Sequence, residues 1–178
     1  IEEDAAPAFL PSADGLSLEA QDEDGRMLDD AHTLACAFYA AQASLPGKEA
    51  VCPDDAPEIL AQIAAGFGKQ LIRPHASARA RDLLAQMPYL HDGVMRAAFL
   101  AAFLARENST LAALAARLPL FDSCREEIPL HCGRAAFMRA ARQAGLHGAK
   151  GNGGIRFAPS CQREALTVYA ESHSMEAA

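Results

Sequence analysis

Ser160, Gln162 and Arg163 fall within four consecutive positions of the stretch GIRFAPSCQREALTVYAES, close to the end of the chain. A hydroxyl, an amide and a guanidinium at a tight turn are groups that clasp an anion such as phosphate, because turns aim backbone N–H groups at one point. The stretch reads as a strand, a Pro159-Ser160 turn and a second strand. Ser160 then stands where the hydroxyl of such a clasp belongs, and Arg163 offers a cation suited to phosphate oxygens. Two other charged residues invite the same question. Asp14 precedes Gly15, where a carboxylate serves either as a turn former or as a metal ligand. Arg73 opens RPHAS, with His75 two residues on, at the exposed start of a helix. The segment CREEIPLHC brings Cys124, His131 and Cys132 together, but without the paired spacing of tetrahedral sites, so no metal is expected there.

Bulk properties bound the answer. At 178 residues, 51% of them hydrophobic, the chain can bury a core. A formal charge of −7, with basic residues scattered rather than striped, makes nucleic acid an improbable partner. No apolar run reaches the roughly 18 residues of a membrane span. The acidic start, IEEDAAPAF, is unlike a secretory signal, and because the first residue is not Met a presequence removed earlier stays open as the alternative. Five widely spaced cysteines suit reduced thiols, hence a soluble protein of a reducing compartment, the cytoplasm or an organelle.

The elements that would carry these residues follow from start and stop signals. PAFLPSADGLSLEAQDEDGRML reads as two short strands with a hairpin at Asp24-Gly25. DDAHTLACAFYAAQASLPG reads as a helix headed by Asp29 and Asp30, with Leu34, Phe38 and Ala41 on its buried face. A strand at Glu49–Cys52, a helix opened by Pro57 and stopped at Gly66/Gly68, and a strand at Gln70–Arg73 make a parallel strand–helix–strand unit. Ser77 caps the next helix. A turn at PYLHDG leads to the helix VMRAAFLAAFLAREN, and Ser109 starts a further one closed by Pro119. Beyond LPLFDSCRE come a strand, EIPLHC, a helix, GRAAFMRAARQA, a glycine-rich connection and the terminal strands. The expected class is α/β: a mixed sheet with flanking helices, followed by a small α+β module. Expected domains are 1–28, 29–121 and 122–178.

In this order the chain resembles the back half of the α-D-phosphohexomutases, the phosphoglucomutases and phosphomannomutases. HDGVMRAAFLAAFLARENSTLAALAARLPLF is similar to the family's Asp-Asp-Gly turn, long helix and following Leu-Pro-terminated helix. DEDGRMLDDAHTLACAFYA is similar to the strand–turn–helix after its metal loop, and APSCQREALTVYAESHSMEAA to its C-terminal phosphate loop and strand.

The departures fall on the chemistry. Where the resemblance implies a Mg²⁺ loop of Asp-x-Asp-x-Asp-Arg, this chain has LPSADG: Leu10 and Ser12 replace two aspartates, Asp14 remains and Gly15 replaces the Arg. The sugar-specificity loop, Gly-Glu-x-Ser-Gly-His, is reduced to PYL. The family's Lys-x-Gly-His motif appears as RPHAS, in which Arg73 keeps the charge. In the phosphate loop Ala158, Cys161, Gln162 and Arg163 replace Arg, Gly, Thr and Glu, leaving Pro159 and Ser160. The family's phosphoserine domain would lie upstream of Ile1. Without these groups phosphoryl transfer loses its positioning and its charge neutralisation. The resemblance therefore implies a non-catalytic structural or interaction subunit without cofactor, meeting a protein partner through the region before Asp29. The alternatives are a sugar-phosphate or anion-binding module using Ser160, Gln162, Arg163 and Arg73, or the C-terminal part of a split mutase.

Overall fold

The computed structural model describes residues 6–45, 47, 49–74, 78–129, 135–137, 139, 153–159 and 165–173. The chain divides into two compact units, Ile1–Pro119 and Leu120–Ala178.

The first unit opens with an antiparallel sheet of three strands in the order β1 (Ala8–Pro11), β2 (Leu18–Gln21), β3 (Met27–Leu28). Two strands were expected here and three are found; the hairpin expected at Asp24-Gly25 is the β2–β3 turn. Strand β2 alternates: Leu18 and Ala20 are buried, Glu19 and Gln21 exposed. The β2–β3 turn is held by Asp22, whose Oδ1 accepts from the N–H groups of Asp24 (3.0 Å) and Arg26 (2.8 Å), with Gly25 at φ +82°.

Helix α1 (Asp30–Ser44) begins where Asp29 caps it, accepting from the His32 N–H at 2.8 Å. Leu34, Phe38 and Ala41 are buried, but so are Ala35, Cys36, Ala37 and Ala40 between them, so the helix has no single core face. Alanine and cysteine add so little bulk that β2, α2, α4 and α5 can pack around it. The helix is a central pillar rather than an amphipathic surface element.

Strands β4 (Ala50–Val51) and β5 (Leu71–Ile72) pair in parallel, joined through α2 (Ile59–Gly66). The end of α2 is a Schellman cap: Lys69 N–H donates to the Ala64 carbonyl and Gly68 N–H to that of Ala65, each at 2.9 Å, with Gly68 at φ +68°. Helix α3 (Ala78–Ala85), a 3-10 turn (Pro88–Leu90), α4 (Gly93–Glu107) and α5 (Leu111–Ala115) complete the unit. Ser77 lies outside the described residues. Thr110, not Ser109, caps α5, its Oγ1 accepting from Ala113 N–H at 3.1 Å. Helix α4 has left its helical path by Ser109, since Asn108 takes the left-handed conformation that ends it.

The second unit is an antiparallel sheet in the order β6 (Phe121–Pro129), β8 (Ala165–His173), β7 (Gly153–Pro159). Here the sequence reading placed the first strand too late. Strand β6 starts at Phe121 and pairs with β8 over all nine residues, including Asp122–Glu126, which read as a connection. Charged residues are tolerated there because β6 is a sheet edge. Residues 135–137 and 139 are helical. The class is α/β, with the parallel and antiparallel pairings in separate small sheets.

Candidate functional site

Asp14 sits in the turn between β1 and β2. Its Oδ1 accepts from the Ser12 hydroxyl at 2.6 Å and from the Leu16 N–H at 3.1 Å. Ser12 Oγ in turn accepts from Ser17 N–H at 3.0 Å. This oxygen of the carboxylate is spent on folding its own turn, in which Gly15 takes φ +72°. Leu10, where the resemblance implies a metal ligand, is 51% exposed. Among the described residues no group of three His, Cys, Asp or Glu side chains could hold a metal ion.

The N-terminus of α4 is docked on this turn. Gly93 N–H donates to the Gly15 carbonyl at 2.7 Å, and a Cβ built on Gly93 would stand 2.2 Å from the Ser17 carbonyl oxygen. Only glycine permits that approach. Asp92 caps α4, accepting from Met95 N–H at 2.8 Å.

Beneath the turn lies a charge that the sequence reading passed over. Arg96 is 2% exposed. Its guanidinium donates to Asp30 Oδ1 (2.6 Å), to the Asp30 carbonyl (3.3 Å) and, through Nε, to the Tyr89 carbonyl (3.1 Å). Asp30 Oδ1 also accepts from Leu18 N–H at 2.8 Å, and Thr33 Oγ1 donates to the Leu18 carbonyl at 2.7 Å. One buried cation thus ties β2, α1, the 3-10 turn and α4 together. The available signal was a lone arginine inside the apolar run VMRAAFLAAFL.

Arg73, at the end of β5, is a clamp. Its guanidinium donates to the carbonyls of Pro53 (3.0 Å), Asp54 (3.1 Å) and Ala56 (3.0 Å) and pairs with Glu58 at 2.9 Å. It fixes the connection between β4 and α2. An open cleft of about 660 Å³ runs beside it, lined by Glu58 just before α2, by Ala61 and Ala65 of α2 and by Lys69–Arg73. Arg73 and Asp14 belong to different sheets of the first unit. Ser160, Gln162 and Arg163, like His75 and Cys161, lie outside the described residues. The strands on either side of that loop pair with each other, Pro159 opposite Leu166.

No protein-family model matches the sequence, and a search of the curated proteins finds no match. Solved structures do match. A phosphoglucomutase/phosphomannomutase family protein from Burkholderia thailandensis superposes over 97% of this chain and 43% of its own, with TM-score 0.67 and 19% identity. The fold is phosphohexomutase-like. The N-acetylphosphoglucosamine mutase of Aspergillus fumigatus agrees: 14% identity, TM-score 0.54, 96% of this chain and 45% of that one. The same mutase in complex with GlcNAc-6P and magnesium gives 14% identity, TM-score 0.57, 94% and 49%. The chain spans less than half the length of each structure.

Within this phosphohexomutase-like fold, burial decides what the remaining reactive groups can do. It pushes the Cys36 thiol up to about 12, so Cys36 is a core residue and no nucleophile. Burial opposes ionisation of Asp29 and Glu23 too, yet in both hydrogen bonds outweigh it. The His32 side chain and N–H hold Asp29 below its ordinary value, and the Ala112 and Leu111 N–H groups do so for Glu23. Glu23 reaches across from the β2–β3 turn to the first turn of α5, its oxygens 3.0 and 2.8 Å from those two nitrogens. No described helix is long and apolar enough to cross a membrane.

Proposed function

We propose that this phosphohexomutase-like chain is a non-catalytic structural or interaction subunit. One observation carries the reading: at the turn where the resemblance implies a magnesium loop, Leu10 is exposed and Asp14 Oδ1 is bound to Ser12 and Leu16. A hard cation needs several converging oxygens, and hydrophobic or hydroxyl side chains at two of three positions do not supply them. The clamp made by Arg73 agrees, since a guanidinium engaged by three carbonyls and a carboxylate is poorly placed to meet a phosphate as well.

Among the described residues of the first unit the exposed large hydrophobics are Leu10, Leu16, Met27, Val94 and Met95, on the three-stranded sheet, its β1–β2 turn or the first turn of α4. Exposed apolar groups gathered in this way favour contact with a protein surface. They include the region before Asp29 that the sequence singled out.

The test is phosphorus NMR of the 178-residue chain with magnesium and a hexose 1-phosphate or 6-phosphate. The reading predicts unchanged spectra. Interconversion of the two esters, above that in a chain-free control, would overturn it.

A further inference from the structure

We propose that the cleft between α2 and β5 is a docking groove in which an extended segment of another polypeptide joins β5 as a third strand. The two strands of this sheet are unequally covered. Ala50 and Val51 of β4 are 1% and 0% exposed, whereas Leu71 and Ile72 of β5 are half-buried. The sheet order is β4-β5, so β5 has one edge without a strand partner among the described residues.

The ladder fixes which groups face that edge. Cys52 N–H donates to the Ile72 carbonyl at 3.2 Å, so Ile72 points toward β4. Successive residues of a strand alternate, which turns the N–H and C=O of Leu71 outward. An open strand edge recruits extended peptides through main-chain hydrogen bonds, and adjoining pockets select side chains.

The groove has the dimensions and walls for such a guest. Its volume is about 660 Å³, and one wall is made by Ala61 and Ala65, which share one side of α2, with Glu58 at the head of that helix. Two alanines leave room for a backbone and small apolar side chains. Charge then narrows the partner. Arg73 is balanced by Glu58, whereas among the described residues Lys69 hydrogen-bonds a neutral amide, Gln42 Oε1, at 2.8 Å. A carboxylate on the guest, beside the start of β5, would balance it. A second copy of this chain fits less well: antiparallel pairing centred on Leu71 sets Lys69 opposite Arg73 of the other copy, which is already paired with Glu58 and brings no carboxylate to the ammonium. The guest is therefore an acidic extended segment of a different protein.

The inference rests on the interaction reading but fails separately from it, since phosphoryl turnover would sink that reading and failed peptide binding only the groove. The probe is a fluorescein-labelled octapeptide of alternating valine and threonine with a glutamate at each end. Its twin carries N-methyl groups on alternate amides, which removes ladder donors and keeps every side chain. The full chain should bind the parent peptide saturably and the twin at least tenfold more weakly. Ala65→Trp should abolish binding and Lys69→Gln should weaken it at least threefold at low salt, both variants checked for folding by circular dichroism. Absence of saturable binding at millimolar peptide, equal binding of the twin, or indifference to both substitutions would overturn the proposal.

Discussion

Asp14 and Asp30 are both acidic, both adjoin the β1–β2 hairpin and both accept hydrogen bonds, yet they connect very different lengths of chain. Asp14 Oδ1 is held by groups two residues away on either side, in an exposed turn. Asp30 Oδ1 is held by Leu18, twelve residues away, and by Arg96, sixty-six residues away and almost wholly buried. A local bond shapes one turn, whereas a long-range bond to a buried cation fixes how four elements assemble. At the turn where the resemblance implies a ligand site, Asp14 Oδ1 shapes its own turn.

The contrast predicts a steep gradient of mutational effects. Arg96→Met should be the most damaging change, about 2–4 kcal/mol in chemical denaturation, because it strips the Tyr89 carbonyl and the part-exposed Asp30 carboxylate of their buried donor. A loss below about 1 kcal/mol would put the two aspartates on the same footing. Gly93→Ala should follow at about 1–3 kcal/mol, the cost of forcing a Cβ into the Ser17 carbonyl, and thermal melting would register it.

Glu23→Gln should cost about 1 kcal/mol, a capping-sized effect, and its pH dependence gives a sharper test. The folded-state carboxyl lies below its ordinary value of 4.5, so its contribution is fully present above that pH and is lost as pH falls through the folded-state value. The gap between wild type and variant should therefore be constant near neutrality and shrink in acid. A gap that widens in acid would contradict the assignment.

Tyr89→Phe should be neutral or mildly stabilising, by up to about 1 kcal/mol, since the buried hydroxyl has no partner among the described residues while its ring stacks on Phe99 at 4.2 Å. A clear loss would reveal a hydrogen bond.

What was legible in the sequence was local. Asp29, Asp92, Gly25 and Gly68 mark their caps and turns because the groups they satisfy lie within a few residues. The parallel pairing of β4 and β5 followed from the strand–helix–strand order. What was hidden was long-range. Arg96 looks like one more solvated residue of an alanine-rich helix until Asp30 is brought beneath it. Glu23 looks like part of an acidic turn until α5, whose first N–H is eighty-eight residues on, is placed over it. Arg73 kept its charge, as the resemblance suggested, but only folding shows three carbonyls gathered around it. Strand β6 was misplaced because edge strands carry charges that otherwise signal a loop.

The central claim, that Asp14 serves its own turn and no ion, is met most directly by magnesium-dependent melting of wild type and Asp14→Ala side by side. Asp14→Ala should lower stability by no more than about 0.5 kcal/mol, as for an exposed side chain. Millimolar magnesium should move neither melting temperature. A saturable magnesium-induced rise in the wild type that disappears in Asp14→Ala would contradict the account.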